Sequence, residues 1–272
     1  METENPYKNV FITGASSGLG HGLAAFFCAR GATVHAAARR ADRLAALKAD
    51  CSAKGLPGKI VPVQLDVSHS AETRKIIAAT QASVGGLDLV VANAGVSEES
   101  DARRLDWEKI EKIIQVNVTG ALATLTAALP DMLTRQRGHV AVVSSIAGFQ
   151  PLPSYGAYAA SKAFVTTFAE SLRMDLVGSP VALTVIHPGF VKSEMTAASP
   201  FPMPFLMETQ DAVERMGVGL LRREREIAFP WQISLAARVG RLLPSALVTM
   251  VSSRAKPAGA GWRESPLYKK AD

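Results

Sequence analysis

The segment Tyr158-Ala159-Ala160-Ser161-Lys162 contains a pair of side chains that is suited to moving a proton. The surrounding sequence has helical periodicity, so Tyr158 and Lys162, at positions i and i+4, lie on the same face of a predicted helix. A free phenol has a pKa of about 10, which is too high for ready proton exchange near neutral pH. A neighbouring ammonium group favours the phenolate and lowers that pKa. The pair predicts general acid–base chemistry, although this spacing also occurs by chance on many helices.

A glycine-rich turn near the N-terminus has the composition of a phosphate-binding site. The apolar run Asn9–Thr13 leads directly into it, and a helical pattern follows. Glycine lets the backbone approach a pyrophosphate closely, and a helix N-terminus offers free N–H groups with partial positive charge. The spacing is Gly-x-x-x-Gly-x-Gly rather than the common Gly-x-Gly-x-x-Gly of dinucleotide-binding proteins. The predicted phosphate contacts are Gly14, Ser16, Ser17, Gly18, Leu19 and Gly20.

The end of the second predicted strand bears on the choice of dinucleotide. Here Ala38 is followed by Arg39 and Arg40, with no carboxylate at that place. An acidic residue there binds the ribose 2′-hydroxyl of NAD, whereas arginine accommodates the 2′-phosphate of NADP. A guanidinium holds a phosphate by paired, charged hydrogen bonds. The sequence therefore predicts NADP(H), with Arg39 favoured over Arg40; the alternative is that both arginines are solvated at the start of a helix.

Short apolar runs alternate with helical segments along most of the chain, which predicts βαβ units and a parallel sheet. The predicted strands are Asn9–Thr13, Thr33–Ala38, Ile60–Leu65, Leu87–Ala92, His139–Ser144, Val181–His187 and Glu226–Phe229. The predicted helices are Leu19–Arg30, Asp42–Lys54, Ala71–Val84, Trp107–Leu133 and Tyr155–Val177, with another ending near Arg225. We expect an α/β, Rossmann-type doubly wound domain over residues 1–230, with a substrate loop at about 190–226 and a C-terminal helical extension over 231–272.

Composition narrows the class of protein further. With 272 residues, 48% hydrophobic and 20% charged, the chain can bury the core of one large domain. The polar N-terminus is unlike a secretory signal, and no apolar run reaches the ~18 residues of a membrane span, so we expect a cytoplasmic protein. The two cysteines and five histidines show no metal-ligand spacing. The net charge of +6 is scattered rather than clustered, which argues against nucleic-acid binding.

Seven short motifs occur together in this sequence: Thr13-Gly14-x-x-x-Gly18-x-Gly20, Leu65-Asp66-Val67, Asn93-Ala94-Gly95, Asn117-Val118, Ser144-Ser145, Tyr158-x-x-x-Lys162 and Pro188-Gly189. Their order, and the position of Ser145 thirteen residues before Tyr158, are those of the classical short-chain dehydrogenase/reductase family. The sequence resembles that family over about Lys8–Ser193. The combination is far more specific than any one of the motifs.

The resemblance implies an oxidoreductase that transfers hydride between NADP(H) and a carbonyl compound or the corresponding alcohol. Tyr158 would be the general acid or base, and Ser145 would position the substrate oxygen. Lys162 would hold the nicotinamide ribose and lower the pKa of Tyr158, and Asn117 would anchor a water of a proton relay. The other implied cofactor contacts are Asp66, Val67, Asn93, Ala94, Gly95, Pro188, Gly189, Val191 and Ser193.

Two alternatives to this function remain at the level of sequence. One is a non-catalytic NADP(H)-binding sensor or scaffold on the same fold, which would have no need of Asn117, Ser145, Tyr158 and Lys162 together. The other is an NAD-dependent alcohol dehydrogenase, which the arginines after the second strand disfavour.

The substrate side is predicted to be apolar. Aromatic and methionine side chains after Pro188-Gly189 offer an adaptable apolar surface for a hydrophobic ketone, aldehyde or alcohol, unless they simply seal the core. These side chains are Met195, Phe201, Met203, Phe205 and Met207.

The extension has apolar residues at helical spacing, interrupted by Pro244: Leu235, Val239, Leu242, Leu243, Leu247 and Val251. We expect it to pack over the pocket or at a subunit interface; the alternative is a helix that lies on a membrane surface. The family resemblance implies a homodimer or homotetramer.

Overall fold

Seven strands form one parallel sheet in the computed structural model, which describes residues 5–197 and 203–240. They are β1 (Asn9–Thr13), β2 (Thr33–Ala38), β3 (Lys59–Gln64), β4 (Leu89–Ala92), β5 (His139–Val143), β6 (Ala182–Pro188) and β7 (Glu226–Phe229). The strand order is β3-β2-β1-β4-β5-β6-β7, and every neighbouring pair is parallel. β4 and β5 are buried along their whole length, as expected for strands that are covered on both faces.

The connections between the strands are helical. The α-helices are α1 (Gly18–Cys28), α2 (Ala41–Ala53), α3 (Ser70–Val84), α4 (Trp107–Ile113), α5 (Ala121–Thr134), α6 (Gly156–Asp175), α7 (Glu194–Ala197), α8 (Thr209–Leu221) and α9 (Trp231–Gly240). A π-helical segment, Ile114–Gly120, joins α4 to α5, and a short 3₁₀ turn, Ile146–Phe149, follows β5.

Two apolar cores lie on opposite faces of the sheet. Leu23 of α1, Leu44 of α2 and Met216 of α8 belong to one core, together with side chains of β1 and β2. Ile77 of α3 and Val165 of α6 belong to the other, together with side chains of α5. Each helix therefore buries one apolar stripe against the sheet, which is the arrangement of a doubly wound α/β domain.

The strand order reverses direction at the pair β1–β4. The chain winds outward through β2 and β3 on one side of β1, and through β5, β6 and β7 on the other. A crevice therefore opens at the carboxyl ends of β1 and β4, where ligands of open α/β sheets bind. The glycine-rich turn follows β1, and Asn93 follows β4, so both predicted motifs lie at this crevice.

The predicted fold class is confirmed, and all seven predicted strands begin and end within two residues of the observed ones. The predicted helical segment Trp107–Leu133 is helical throughout in the structure, with a π-helical stretch between α4 and α5. The helix expected to end near Arg225 ends at Leu221. Of the predicted substrate wall and extension, Phe201, Leu242, Leu243, Leu247 and Val251 lie outside the described residues.

Candidate active site

Hydrogen bonds join the ends of β1 and β4 at the base of the crevice. The Asn93 side chain donates through Nδ2 to the carbonyl oxygens of Thr13 at 2.8 Å and Gly14 at 3.3 Å. The Thr13 hydroxyl in turn accepts from the backbone N–H groups of Asn93 at 3.0 Å and Ala94 at 3.1 Å. These bonds hold the glycine-rich turn at a fixed distance from the end of β4. Asn93 and Ala94 thus shape the crevice as structural residues.

The turn itself fits a group that approaches the backbone closely. A Cβ atom at Gly14 would come within 2.8 Å of Ala94 Cα, and one at Gly20 would collide with Gly14 O and Asn93 Nδ2. Gly18 has a positive φ of 54°, a conformation that glycine adopts without strain. Within the described part of the chain, the Ser17 side chain at the N-cap makes no capping bond to α1. The first N–H groups of α1 therefore remain available for an anion such as a phosphate.

Arg40, rather than Arg39, contacts the glycine-rich turn. The Arg40 guanidinium donates to Ser16 Oγ at 3.2 Å from Nε and 3.1 Å from Nη2, and to Ser17 Oγ at 2.8 Å. Arg39 is turned towards the next strand, with Nη1 4.0 Å from Asp66 Oδ2. The sequence favoured Arg39 because it follows the strand directly. The chain turns into α2 at this point, and the second arginine is the one that reaches the turn.

Asp66 and Val67 lie after β3, on the adenine side of the predicted cleft. Asp66 Oδ1 accepts from the backbone N–H of Ser68 at 3.0 Å and from its hydroxyl at 2.8 Å, so the carboxylate is held in a local turn. Val67 is buried, and a Cβ atom at Gly120 would lie 2.8 Å from Val67 Cγ2. The π-helical segment thus packs directly against the Leu65-Asp66-Val67 motif.

The residues predicted to transfer a proton meet at the carboxyl end of β5. Tyr158 and Lys162 project from the first turns of α6, and the Lys162 ammonium lies 5.8 Å from the centroid of the Tyr158 ring. Lys162 is only 4% exposed, and its Nζ donates to the Val143 carbonyl at 2.8 Å. Ser145, two residues past β5, accepts at Oγ from Ala147 N at 3.1 Å. Three side chains from two elements therefore converge on one place.

Burial governs the ionisation of this pair. It lowers the pKa of Lys162 to about 8. Burial also raises the pKa of Tyr158, and hydrogen bonding to the Ser145 side chain lowers it without cancelling that rise. The sequence predicts a lowered Tyr158 pKa, so the protein's own groups act in the opposite direction. The reason is that desolvation disfavours the charged forms of both side chains, the phenolate and the ammonium.

Asn117 links the strand ends to α6. It is 1% exposed and lies in the π-helical segment, a rare conformation that often occurs at functional sites. Its Oδ1 accepts from Val96 N at 2.8 Å, and its Nδ2 donates to Val96 O at 2.9 Å and Ser161 Oγ at 3.0 Å. Ser161 Oγ donates to the Tyr158 carbonyl at 2.7 Å. The side chain thus ties the loop after β4 to the helix that carries Tyr158.

Gly95 lies between these groups. A Cβ atom at this position would lie 3.3 Å from Lys162 Nζ and 3.5 Å from Asn117 Oδ1. The Asn93-Ala94-Gly95 motif therefore contributes side-chain hydrogen bonds at its first residue. Its last residue lies close to the Lys162 ammonium, so any side chain there would crowd this group.

The Pro188-Gly189 motif ends β6 beside the same site. Ser145 Oγ lies 3.3 Å from the Pro188 carbonyl, and Gly189 N donates to Phe229 O at 2.7 Å. Val191 is buried and forms a bridge with Met207, while the Ser193 backbone N–H donates to Thr196 Oγ1 at 3.0 Å. In addition, a Cβ atom at Gly18 would lie 3.6 Å from Ser193 Cβ. Ser193 therefore stands over the glycine-rich turn.

His187 precedes this motif, and neither of its buried ring nitrogens has a hydrogen-bond partner among the described residues. Its ring is fully buried and lies against Phe149, with 4.6 Å between the ring centroids. Nε2 lies 3.4 Å from Glu226 Oε1 on β7. Burial lowers the pKa of His187 to about 4, so the ring is neutral at physiological pH.

The first helix of the extension covers the segment after Ser145. The Arg238 guanidinium lies over the Phe149 ring, 4.7 Å from its centroid, and forms an ion pair with Glu226. Trp231, Leu235 and Val239 of α9 are exposed. Residues 231–240 of the extension thus pack against the segment after Ser145 and against β7; the residues beyond lie outside the described part.

The predicted substrate wall divides into two groups. Met207 is partly buried and packs against the core, so it helps to seal the domain. Met195 and Phe205 are exposed, so they do not help to seal the domain. A surface depression of about 380 Å³ has mainly apolar walls, with Phe205, Leu206, Met207, Phe229, Pro230 and Trp231 among its lining.

A cluster that the sequence analysis missed joins the loop after β4 to the start of α6. Asp101 is buried, and its carboxylate accepts from Arg103 Nη2 at 2.6 Å and Ser154 Oγ at 2.8 Å. Ser154 has a positive φ of 63°, an uncommon conformation for a serine that the cluster holds in place. Ser100 Oγ accepts from Ala157 N at 3.1 Å, one residue before Tyr158. No pattern in the sequence predicts this cluster, because Asp101 and Ser154 are about fifty residues apart.

The described residues bear on two further kinds of site, a metal site and a membrane span. Within 5–197 and 203–240, no three His, Cys, Asp or Glu side chains are grouped so that they could hold a metal ion. The helical stretch Trp107–Thr134 is long and apolar enough to cross a membrane by length and composition alone. However, 56% of its most apolar window is buried inside the domain, as in the core helix of an α/β fold.

The geometry defines a dinucleotide-type crevice with a Ser-Tyr-Lys group beside it, and comparison with known proteins identifies the family. A family model described as short chain dehydrogenase matches residues 8–201. The chain therefore belongs to the short-chain dehydrogenase family, as the motifs predict. A Myxococcus xanthus protein described as an uncharacterized oxidoreductase is 52% identical over 251 residues, covering 92% of this chain and 98% of that protein.

Solved structures show the same architecture. A short-chain dehydrogenase from Sphingobium yanoikuyae, in complex with NADPH, has a TM-score of 0.77 at 26% identity and covers 94% of this chain and 99% of its own. A short-chain dehydrogenase/reductase from Burkholderia phymatum, in complex with NAD, has a TM-score of 0.79 at 23% identity and covers 94% and 98%. The shared fold thus accommodates either dinucleotide in different proteins, and the preference of this chain has to be argued from its own residues.

Proposed function

We propose that this protein is an NADP(H)-dependent oxidoreductase that reduces a hydrophobic ketone or aldehyde, or oxidises the corresponding alcohol, with Tyr158 as the general acid or base. The observation that carries the proposal is the convergence of Ser145, Tyr158 and Lys162 beside the crevice at β1 and β4. A sensor or scaffold that only binds a dinucleotide would need the crevice but not this group.

The chain's own residues divide the chemical work. The Tyr158 hydroxyl holds a proton, because burial raises its pKa, and a neutral phenol is the form that donates to a carbonyl oxygen. Ser145, whose side chain hydrogen-bonds to Tyr158, positions that oxygen. Lys162 is fixed by Val143 and binds the nicotinamide ribose through its remaining donors. When bound, the nicotinamide supplies or accepts the hydride, and its oxidised ring supplies a positive charge that favours the phenolate.

Asn117 acts as a positioning residue in this proposal. Its amide is engaged with Val96 and Ser161, so it fixes α6 relative to the end of β4. A relay water would therefore bind to the remaining lone pair of Oδ1 or to backbone carbonyls of the π-helical segment. Either acceptor would connect Lys162 to solvent.

The preference for NADP(H) is supported by the arginines after β2. The Arg40 guanidinium already lies on Ser16 and Ser17 of the turn, so a 2′-phosphate there would meet its positive charge and two hydroxyl groups. A 2′-hydroxyl would use none of this charge. We propose Arg40 as the principal 2′-phosphate ligand.

An apolar substrate and self-association are supported by exposed apolar surface. Met195 and Phe205 follow β6 and remain available to a hydrophobic ligand. Trp107 on α4 and Phe164 on α6 are exposed on two helices that contact each other, which supports an interface in a cytoplasmic homodimer or homotetramer.

The proposal is tested with the full-length protein, NADPH or NADH, and a panel of hydrophobic ketones and aldehydes. Tyr158→Phe should lower turnover by about 10²–10⁴-fold with nearly unchanged NADPH affinity. Arg40→Ala should weaken NADPH and spare NADH, and more so than Arg39→Ala; Arg74→Ala on the exposed face of α3 is the matched control. Substantial turnover by Tyr158→Phe would refute the catalytic role, and equal or tighter binding of NADH by the wild type would refute the cofactor preference.

A further inference from the structure

An ion-pair network joins the glycine-rich turn to the segment that follows β6. Arg40 Nη1 donates to Glu194 Oε2 at 3.0 Å, while the rest of the same guanidinium donates to Ser16 and Ser17. Arg43 Nη2 lies 3.9 Å from the other carboxylate oxygen, Glu194 Oε1. Glu194 is the first residue of α7 and is 154 positions away from Arg40. One carboxylate from the substrate side thus neutralises part of the positive charge of Arg40 and Arg43 on the cofactor side.

The donors that surround this carboxylate are those that a phosphate monoester would use. A guanidinium and nearby hydroxyl groups are typical ligands of an adenosine 2′-phosphate. We propose that Glu194 occupies the anion position of the 2′-phosphate subsite, so that NADP(H) must displace this carboxylate whereas NAD(H) need not. The inference rests on the proposed function, because it assumes that a dinucleotide binds along the glycine-rich turn.

The balance of charge allows the displacement. A hydrogen bond from Arg40 and the charges of Arg40 and Arg43 lower the pKa of Glu194, so the carboxylate is ionised at neutral pH. Both members of the Arg40–Glu194 pair are about half exposed, and exposed ion pairs are weak. A phosphate monoester carries roughly −1.5 to −2 charges and binds the same arginines more strongly than one carboxylate does. The carboxylate would then lie next to a like charge and would have to leave.

The displacement has a consequence for the substrate side. Glu194 directly follows Ser193, which stands over the glycine-rich turn, and it begins the segment that carries Met195. The bond to Arg40 attaches this segment to the start of α2. Binding of a 2′-phosphate releases the attachment, whereas binding of a dinucleotide with a free 2′-hydroxyl leaves it intact. Glu194 therefore both sets the apparent preference between the two dinucleotides and links that preference to the position of α7.

The test measures binding of fragments rather than turnover. Isothermal titration of the full-length protein with adenosine 2′,5′-bisphosphate isolates the 2′-phosphate, and adenosine 5′-monophosphate is the comparison ligand. Glu194→Gln keeps the shape of the side chain and removes its charge. We expect this variant to bind the bisphosphate about two- to fivefold more tightly than the wild type, with no change for the monophosphate. The gain should disappear when Arg40→Ala is added, because the competition takes place at that guanidinium.

Glu208→Gln is the matched control. Glu208 precedes α8 and forms an ion pair with Lys192, so this substitution also removes one acidic charge close to the same segment. It should leave the affinity for the bisphosphate unchanged. A Glu194→Gln variant that binds the bisphosphate no more tightly than the wild type, or an equal gain in Glu208→Gln, would overturn the inference. Neither result depends on turnover, so a failure of the proposed catalytic role of Tyr158 is recognised separately.

Discussion

The buried charge of Lys162 should destabilise the folded protein. Its ammonium is 4% exposed, and burial lowers its pKa from the ordinary 10.5 to about 8. A difference of one pKa unit is worth about 1.4 kcal/mol, so holding the charged side chain in the folded protein costs about 3 kcal/mol. The penalty is intrinsic to the site, because the ammonium must be buried beside Tyr158 to act there.

Lys162→Met removes the charge and keeps a long, flexible side chain in the same space. The variant gains back the desolvation cost and loses the hydrogen bond from Nζ to the Val143 carbonyl, which as a bond from a charged donor is worth about 1.5–3 kcal/mol. The net expectation at pH 7 is a stabilisation of about 1 kcal/mol, or roughly 3 °C in melting temperature. Turnover should be lost in the same variant, since Lys162 is part of the proposed catalytic group.

The stabilisation should depend on pH in one direction. Below pH 8 the lysine is protonated in both the folded and the unfolded protein, and the full penalty applies. Between pH 8 and 10.5 the folded state releases its proton while the unfolded state keeps it, so wild-type stability rises relative to the variant. The advantage of Lys162→Met should therefore disappear by about pH 10. Urea unfolding of both proteins at pH 7 and pH 10, without added dinucleotide, measures this difference.

Lys48→Met is the matched control, because Lys48 lies on the exposed face of α2 and the substitution is the same. Its effect should stay within about 0.5 kcal/mol at both pH values. The reasoning is refuted if Lys162→Met is less stable than the wild type at pH 7. It is also refuted if the difference in free energy of unfolding between the wild type and Lys162→Met is the same at pH 7 and pH 10.

Three further substitutions address the framework of the site. Gly20→Ala should destabilise the fold by about 1–3 kcal/mol in urea unfolding and abolish NADPH binding, because the new methyl group collides with Asn93; a normally folded variant that binds NADPH would contradict this. Asp101→Asn should cost about 2 kcal/mol at pH 7 by weakening the bonds from Arg103 and Ser154, and less at pH 3, where the carboxylate of the unfolded wild-type chain is largely protonated; a loss independent of pH would contradict it. Arg238→Ala should speed hydrogen exchange across residues 231–240, with unchanged exchange in β1; equal protection would show that α9 is held by other contacts.

The direction of the Asp101 prediction follows from its ionisation. The Arg103 side chain hydrogen-bonds to the carboxylate and holds the pKa of Asp101 well below its usual range. The folded state therefore binds the proton less readily than the unfolded state. The stabilisation is present above the ordinary carboxyl pKa of about 4 and is lost as the pH falls.

Gly156→Ala is the control for Gly20→Ala, since its nearest neighbour, Ser100 Oγ, would lie 3.9 Å from the added Cβ.

Periodicity and motif order were sufficient to predict the fold. Each buried strand is a short apolar run that is followed by a turn, so the seven strands could be placed without knowledge of their neighbours. The glycine spacing predicted the turn after β1, whereas the convergence of Ser145 and Tyr158 was implied by the resemblance to the family. The strands and the turn depend on local sequence, and short-range sterics and hydrogen bonding determine them.

The features that sequence could not predict involve residues far apart in the chain. Nothing local to Glu194 indicates that it meets Arg40, and nothing local to Asp101 indicates that it meets Ser154. The choice between adjacent arginines depended on how the chain turns from β2 into α2. The direction of the Tyr158 pKa shift depended on burial. The burial of both side chains outweighs the lowering that was expected from Lys162.

The same edge of the sheet has to satisfy folding and function at once. Because the strands are parallel, β1, β4, β5 and β6 all end on that edge, and their last backbone groups need partners beyond the sheet. Asn93 meets this need at the end of β1 with its side-chain amide, and Lys162 does so at the end of β5 with its ammonium on the Val143 carbonyl. A substitution at these positions therefore changes stability and chemistry together, and activity alone cannot distinguish the two effects. The pH dependence of stability at Lys162 separates them, since the catalytic role predicts lost turnover and the buried charge predicts a more stable fold.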